Sequence, residues 1–483
     1  MVPLHYGCLW LLAMLAPSYA ASIKRLYLDC SNSAGGNGTQ EKPYGSLDIV
    51  NGLSLSAGSS LSIKSGTICA GTLSPQGSGS KDAPIRLTSY GEGALPVING
   101  SSAATAVSLA NQDYWEISNI AVINPATSVA KRTGVIVTAD DGKTHYGLSI
   151  HHVQVYDVAG QTNKAQHSGD FSDSAGIMVS ASGSGSRYDS VSIYANTIHD
   201  CGGGGIKVHV GQIDNRGLDT HVWDNNIFND GGDGIVGSYA QAPLIEGNTC
   251  AYLGRGKYPY TGGNFAGIWV LGCRDAVMRA NVVHDTLMSV ADSTAFDCDW
   301  GNEGNCTVEY NYSHDNAGGI FLNCDDCGTP GGARQIVRYN VFQNDCRMRS
   351  TGDDVTLEFY NNVVYCANKD FDIQIPPNTI FSNNIWVGRA NSSLPASNST
   401  KWESNLFQNT KEPVETAGIT GDPNFVEPGT GEDTLESANG YQLKEGSLAL
   451  GKGSVVPDNG GRDFWDIFWD QTPNIGAYNG PGV

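Results

Sequence analysis

Residues 292–326 read DSTAFDCDWGNEGNCTVEYNYSHDNAGGIFLNCDD, and two turns of one repeat lie inside them. VEYNYS (308–313) is an alternating strand pattern built around Asn311. TAFDC (294–298) and GGIFL (318–322) are copies of a second pattern, a small residue followed by an apolar anchor, here Phe296 and Ile320.

Both patterns recur to either side. The first returns as VSIYANTI, VWDNNI, LIEGNTC, VMRANVV, IVRYNVF, LEFYNNVV and IFSNNIW, with Asn196, Asn226, Asn248, Asn281, Asn340, Asn362 and Asn384 at its repeated position. With Asn311 included, the spacings are 30, 22, 33, 30, 29, 22 and 22 by subtraction. The second returns as AGIMV, GGIKV, DGIVG and AGIWV, anchored on Ile177, Ile206, Ile235 and Ile268. A period of this size with two short strands per copy is a solenoid, and the absence of a 3.6-residue apolar rhythm excludes helical arrays. The physical picture is a coil of parallel strands, each turn stacked about 4.8 Å above the last. Equivalent positions then form columns, and a column of Asn can hydrogen-bond along the stack. Uneven spacings mean loops of different length leave the coil.

The flanks differ from the repeat. LYLDCSNSAGGNGTQEKPYGSLDIVNGL (26–53) reads as a strand, a Gly/Asn/Ser loop and a short amphipathic segment over 47–53, suited to closing one end of the core. Terminal repeats of a solenoid must cover that end and are atypical. Beyond 388 the repeat fades and RDFWDIFWDQ (462–471) clusters aromatics, as a cap, a segment folded back along the coil, or an aromatic sugar platform. The expected division is a signal peptide at 1–20, an N-terminal cap with the first turns at 21–100, the β-helical core at 101–388 and a C-terminal extension at 389–483.

MVPLHYGCLWLLAMLAPSYA has an apolar run too short to span a bilayer, ahead of a small-residue cleavage site, and predicts secretion. The net charge of −21 speaks against nucleic acid and anionic membranes as partners. In an oxidising compartment the twelve cysteines predict disulfides, with at least one thiol left over once Cys8 departs with the leader. Cys324-Asp-Asp-Cys327 admits a zinc reading but has no matching second pair. Six N-x-S/T sequons, at Asn37, Asn99, Asn305, Asn311, Asn391 and Asn398, predict glycosylation, with Asn311 in a repeat position open to burial.

Aligning the second pattern produces an outward column. One residue past each anchor stand Met178, Lys207, Val236, Trp269, Asp297 and Phe321; two further are Ser180, His209, Ser238, Leu271, Asp299 and Asn323. Side chains alternate between faces along a strand, so with Phe296 and Cys298 inward, Asp297 and Asp299 face out together. Asp233 sits at the lip, Asp325 and Asp326 lie just beyond, and Arg347 and Arg349 reach the rim. The candidate catalytic residues are therefore Asp297, Asp299, Asp325, Asp326 and Asp233. The candidate substrate-binding residues are Lys207, His209, Trp269, Asn323 and Arg347. An aromatic plate with carboxylates and a few hydrogen-bonding groups suits a sugar-binding cleft. The His-Asp pairs 199–200, 284–285 and 314–315 recur at one repeat position, which suits a structural turn.

GNGTQEKPYGSLDIVNGL, KDAPIRLTSYGEGALPVING, the Asn repeats, YNYSHDNAGG, GDPNFVEP and GRDFWDIFWDQTPNIGAYNG together resemble the right-handed parallel β-helix proteins of the pectate lyase type. The resemblance implies an all-β, single-stranded right-handed parallel β-helix with an N-terminal cap and an irregular C-terminal segment. YNYSHDN after an FD-x-D strand looks most like the glycoside hydrolase, β-xylosidase-type branch, which implies an enzyme acting on a polysaccharide or oligosaccharide; the chain is expected to be a secreted monomer that works with no cofactor or with Ca²⁺. Two alternatives stand beside it: a Ca²⁺-dependent polysaccharide lyase or uronan epimerase with Lys207 as base, and a non-catalytic glycan-binding wall protein.

Overall fold

A computed structural model describes residues 24–32, 34–163, 173–324, 333–351, 355–395, 399–411, 413, 418–468 and 472–483. Its strands form three parallel sheets of 16, 14 and 10 strands, and each turn visits the first, second and third sheet in that order. One such turn is Thr144–His151, Gln154–Val158 and Ala175–Ala181, after which Arg187–Tyr194 returns to the first sheet and pairs in parallel with Thr144–His151. This is a parallel β-helix, right-handed as parallel crossovers are in nearly every case.

The sheets form because alternate residues are apolar and every turn repeats the alternation in register. In the first sheet the inward column runs Ile150, Ile193, Val222, Ile245, Met278, Val308, Val337, Phe359, Phe381 and Trp402. All ten are buried in one continuous core that extends from Leu26 to Phe407. The column changes from aliphatic to aromatic where the third sheet stops, at Asp372–Ile373. There Phe359 stacks on Trp386 and Phe381 on Trp402, Phe381 also meets Phe359 and Trp386 edge-on, and the four rings fill the end of the coil. At the other end the short helix Leu47–Asn51 buries Leu47 and Val50 against the first turns.

Parallel pairing starts at Arg25, within the stretch expected to hold the first turns, and continues to Thr420. The reason is visible in the first strands, whose Leu26, Leu28, Leu61 and Ile63 already enter the common core. After Thr420 the chain folds back along the outside of the second sheet. Phe425, Ala438, Tyr441, Leu443, Ile475 and Tyr478 cover an outward apolar column of Val282, Tyr312, Val341, Val363, Ile385 and Leu406.

The asparagine column is real, with one correction. Asn196, Asn225, Asn248, Asn281, Asn311, Asn340, Asn362, Asn384 and Asn405 form an unbroken ladder, each Nδ2 donating 2.9–3.1 Å to the next Oδ1. Asn225, not Asn226, is the member; Asn226 begins the next strand and is exposed. The residue before each rung, from Ala195 (φ 52°) to Ser404 (φ 53°), is left-handed, and even Tyr310 and Tyr339 adopt that conformation. The following Asn Oδ1 also accepts the backbone N–H of the previous rung, so the ladder fixes a bend that those side chains would otherwise disfavour. Asn311 is fully buried in this ladder, so its sequon is structural and closed to modification in the folded chain.

Disulfides join Cys30 to Cys69, Cys298 to Cys306 and Cys346 to Cys366, while Cys201, Cys250 and Cys273 are buried thiols. Cys324 is also disulfide-bonded, which removes it as a zinc ligand; Cys327 lies outside the described residues. Among the described residues no helix is long and apolar enough to cross a membrane.

Candidate active site

The third sheet carries the glycine-anchored strands. A side chain at Gly234 would place its Cβ 2.5 Å from the Gly267 carbonyl oxygen, and one at Gly267 would meet the Ala295 oxygen at the same distance. At these two turns any larger residue would strike the backbone of the next turn. Each strand then puts its Ile or Phe anchor inward and the next residue outward.

The outward ladder runs Met178, Lys207, Val236, Trp269, Asp297, Leu322 and Arg349. A second one runs Ser180, His209, Ser238 and Leu271. Parity thus places Lys207, Val236, Trp269 and Asp297 as direct neighbours, as the aligned pattern expects. It fails one turn later. Phe321 pairs with Phe296 and points into the core, and Asn323 pairs with Cys298, buried and accepting a hydrogen bond from Gln335 Nε2 at 3.2 Å. Asn323 is therefore an interior residue and not a substrate contact. The cause is an extra bend at Gly319 (φ 89°), which lets Ile320 take the place of Ala295 and slips the strand by one residue. A one-residue slip exchanges the two faces.

Asp233 opens its strand opposite Gly204 and is fully buried. Its Oδ1 accepts the Trp269 indole N–H at 2.7 Å and the Ala266 backbone N–H at 3.2 Å. Its Oδ2 lies 3.5 Å from Lys207 Nζ, with both side chains almost inaccessible. Trp269, the ladder neighbour of Asp297, thus joins two carboxyl-bearing strands, and the Lys207–Asp233 pair is locked beneath the surface.

Asp297 is buried, and Asp299 is half-exposed at the strand's end. Asp299 is pinned from several sides: its N–H donates to the Val270 carbonyl (2.9 Å), its carbonyl accepts from Asn302 Nδ2 (2.6 Å) and its Oδ1 accepts the Trp300 N–H (2.8 Å). The Cys298–Cys306 disulfide ties this strand to the first sheet directly behind the two aspartates. Two residues along a strand separate the Cα atoms by roughly 6.6 Å. That is compatible with both carboxyl groups addressing one glycosidic bond.

The ladder borders a cavity of about 280 Å³ lined by Met178, Lys207, His209, Ser238, Tyr239 and Leu271 among others. His209 packs edge-on against Tyr239 (4.6 Å between centroids), and Tyr239 meets Trp300 in the same way at 6.4 Å. Burial lowers the His209 imidazole below its ordinary value, which favours a neutral ring. Burial first, then the Cys273 thiol and the Asp299 carboxylate, push the Tyr239 phenol up. Tyr239 and Trp300 escape a reading by strand parity because both follow the strand, in the bend to the next sheet; Trp300's place beside Asp299 was the available signal.

Arg347 is committed elsewhere. Its guanidinium donates to the carbonyls of Ala291 (2.6 Å), Gly318 (3.0 Å) and Asp292 (3.2 Å), so it fastens the loop that leads into Phe296–Cys298 and does not reach into the cavity. Arg349 pairs with Asp372. Asp325 and Asp326 lie outside the described residues.

Fold and site together define a parallel β-helix protein with a cavity on its third sheet, next to an outward ladder of Lys207, Val236, Trp269 and Asp297. Within that class the chain is 24% identical, over an alignment of 507 residues, to the lacto-N-biosidase of Bifidobacterium longum subsp. longum, a match that covers 79% of this chain and 31% of that protein. The chain spans about a third of the length of that relative. Among solved structures it is similar to the GH136 lacto-N-biosidase from Eubacterium ramulus (TM-score 0.57, 21% identity, 82% of this chain and 68% of the other). It is also similar to XylC in complex with xylose (TM-score 0.51, 12% identity, 94% and 98%). Both are likenesses of fold. No known family profile matches the chain.

Proposed function

We propose that this chain is a glycoside hydrolase that cleaves an oligosaccharide in the third-sheet groove. The observation that carries the reading is the outward ladder itself, which sets Asp297 beside Trp269, with half-exposed Asp299 at the strand's end and a cavity bordered by Lys207, His209 and Tyr239 on the preceding turns. Glycosidic cleavage needs one carboxyl group to protonate the leaving oxygen and a second to act as nucleophile or to activate water. Asp297 and Asp299 fill those roles, and the aromatic wall receives the apolar face of the sugar. Asp233 supports Trp269 and offsets the charge of Lys207. The relative's name, lacto-N-biosidase, supports an oligosaccharide ending in lacto-N-biose as the first substrate to try.

A lyase reading requires a neutral base at Lys207. Its Nζ lies 3.5 Å from the buried Asp233 carboxylate, so the side chain is engaged by a partner on the neighbouring strand. The test is a panel of oligosaccharides, including lacto-N-biose-terminated ones, with Asp297→Asn and Asp299→Asn as controls. New reducing ends, lost by at least about 100-fold in either variant, are expected for a directly participating acid or base. Ultraviolet-absorbing unsaturated products, or wild-type turnover by both variants, would overturn the proposal.

A further inference from the structure

We propose that His284, His314 and Asp433 form a binding site for a zinc-type divalent cation that fastens the C-terminal segment to the coil. The site lies on the outside of the second sheet, away from the third-sheet groove. His284 and His314 are ladder neighbours there, with rings stacked at 4.7 Å and 7°. Each points its Nδ1 at the carboxylate of the next residue: His284 to Asp285 at 3.0 Å, His314 to Asp315 at 3.1 Å. Each such aspartate sits in a left-handed bend that turns its side chain back onto the ring. A carboxylate on Nδ1 fixes the tautomer that leaves Nε2 with a lone pair, the usual arrangement behind a metal-ligating histidine.

Both Nε2 atoms face Asp433, which arrives from the segment folded back along the coil. Asp433 Oδ1 lies 3.5 Å from His284 Nε2 and 3.9 Å from His314 Nε2. A tetrahedral zinc about 2.0–2.1 Å from each ligand would hold donor atoms roughly 3.3 Å apart, so three positions form when the two rings turn out of their parallel stack toward each other and exposed Asp433 closes on them. The decisive observation is that His314 is 96% buried and its Nε2 has no hydrogen-bond partner. A buried lone pair left unmatched beside a carboxylate is what a cation would satisfy. The cavity bordered by Tyr252, His284 and Asp433 gives water access to the fourth position. Two imidazoles and a carboxylate select zinc or a neighbouring transition metal over calcium.

The site has a structural use. Asp433 precedes the 3₁₀ helix Leu435–Tyr441, whose Ala438 and Tyr441 cover the outward apolar column. A shared cation would tie that cover to two successive turns.

The full-length chain, stripped with chelator and dialysed, should take up one Zn²⁺ per chain by calorimetry with a micromolar or tighter Kd. Asp433→Ala, on an exposed segment where folding is not at stake, should weaken that binding at least tenfold. Asp315→Asn should weaken it 10–100-fold through His314. Zn²⁺ should also slow protease cleavage around Asp433 several-fold in the wild type and not in Asp433→Ala. No stoichiometric Zn²⁺ uptake, uptake with the same Kd in both variants, or unchanged protease sensitivity on Zn²⁺ addition would each overturn the proposal.

Discussion

Replacing one of two adjacent asparagines separates the ladder from the surface. Asn225 is buried, and its Oδ1 accepts from both the backbone N–H (3.2 Å) and Nδ2 (2.9 Å) of Asn196. Its own Nδ2 donates to the Ile193 and Trp223 carbonyls (3.0 Å each) and to Asn248 Oδ1 (2.9 Å). Asn225→Ala orphans the Asn196 backbone donor in the interior, while Asn248 Oδ1 loses one of its two donors and keeps the backbone N–H of residue 225 (3.0 Å). At about 1–3 kcal/mol for the unsatisfied buried donor and about 1 kcal/mol for the other hydrogen bonding lost, the expected cost is roughly 2–4 kcal/mol. Asp224, left-handed at φ 53°, also loses the rung that holds the bend. Asn226→Ala removes an exposed side chain with no place in the ladder and should stay within about 0.5 kcal/mol of wild type. Urea unfolding followed by circular dichroism measures both at their midpoints. Equal effects, or a larger one at Asn226, would refute the assignment of the rung and the claim that the ladder holds the corner.

Trp269→Phe keeps an aromatic ring against Val236 and Ala266 but deletes the hydrogen bond to the Asp233 carboxylate. A lost bond to a charged acceptor predicts destabilisation by about 1.5–3 kcal/mol together with reduced kcat/KM, and a variant as stable and active as wild type would show that the indole does not organise the site. Burial raises the Asp345 carboxyl from 3.8 to about 6, although Ser313 Oγ and Asn316 donate to its charged form. Between roughly pH 4 and 6 the folded chain therefore holds a proton that the unfolded chain has released, so stability falls as pH rises through that window, by about 3 kcal/mol at 1.36 kcal/mol for each pH unit. Asp345→Asn should flatten that dependence in urea titrations run with chelator; an unchanged slope would assign it to another group.

Strand parity made the coil and most of the third-sheet ladder legible. Lys207, Val236, Trp269 and Asp297 fall into line because their strands share one alternation and one anchor. Parity failed where two chemically equivalent residues stood side by side. Ile320 and Phe321 are both suited to the core, and the bend at Gly319 decides between them. Asn225 and Asn226 differ only in which one follows the left-handed residue. The roles of Arg347, Tyr239 and Trp300 depend on where loops return in space, which no period-2 pattern encodes. The outward apolar column under the C-terminal segment was visible in sequence as paired valines at 282–283 and 363–364, a sign that both faces of the second sheet are covered.

The short strand Phe296–Cys298 carries the constraints that make the pair of carboxyl groups possible. Phe296 and Cys298 are both fully buried, so the residue between them has only the outward direction available. The Cys298–Cys306 bond prevents the strand from sliding along its neighbours, and Asn302, donating to the Val270 and Asp299 carbonyls, clamps the backbone where Asp299 leaves the sheet. A slip of one residue, which the next turn does undergo, would here drive Asp297 into an apolar core and break the disulfide. The cost of burying an unpaired carboxylate exceeds anything that a new register would recover. The groups that hold the scaffold in register are therefore the groups that would aim Asp297 and Asp299 in the proposed site.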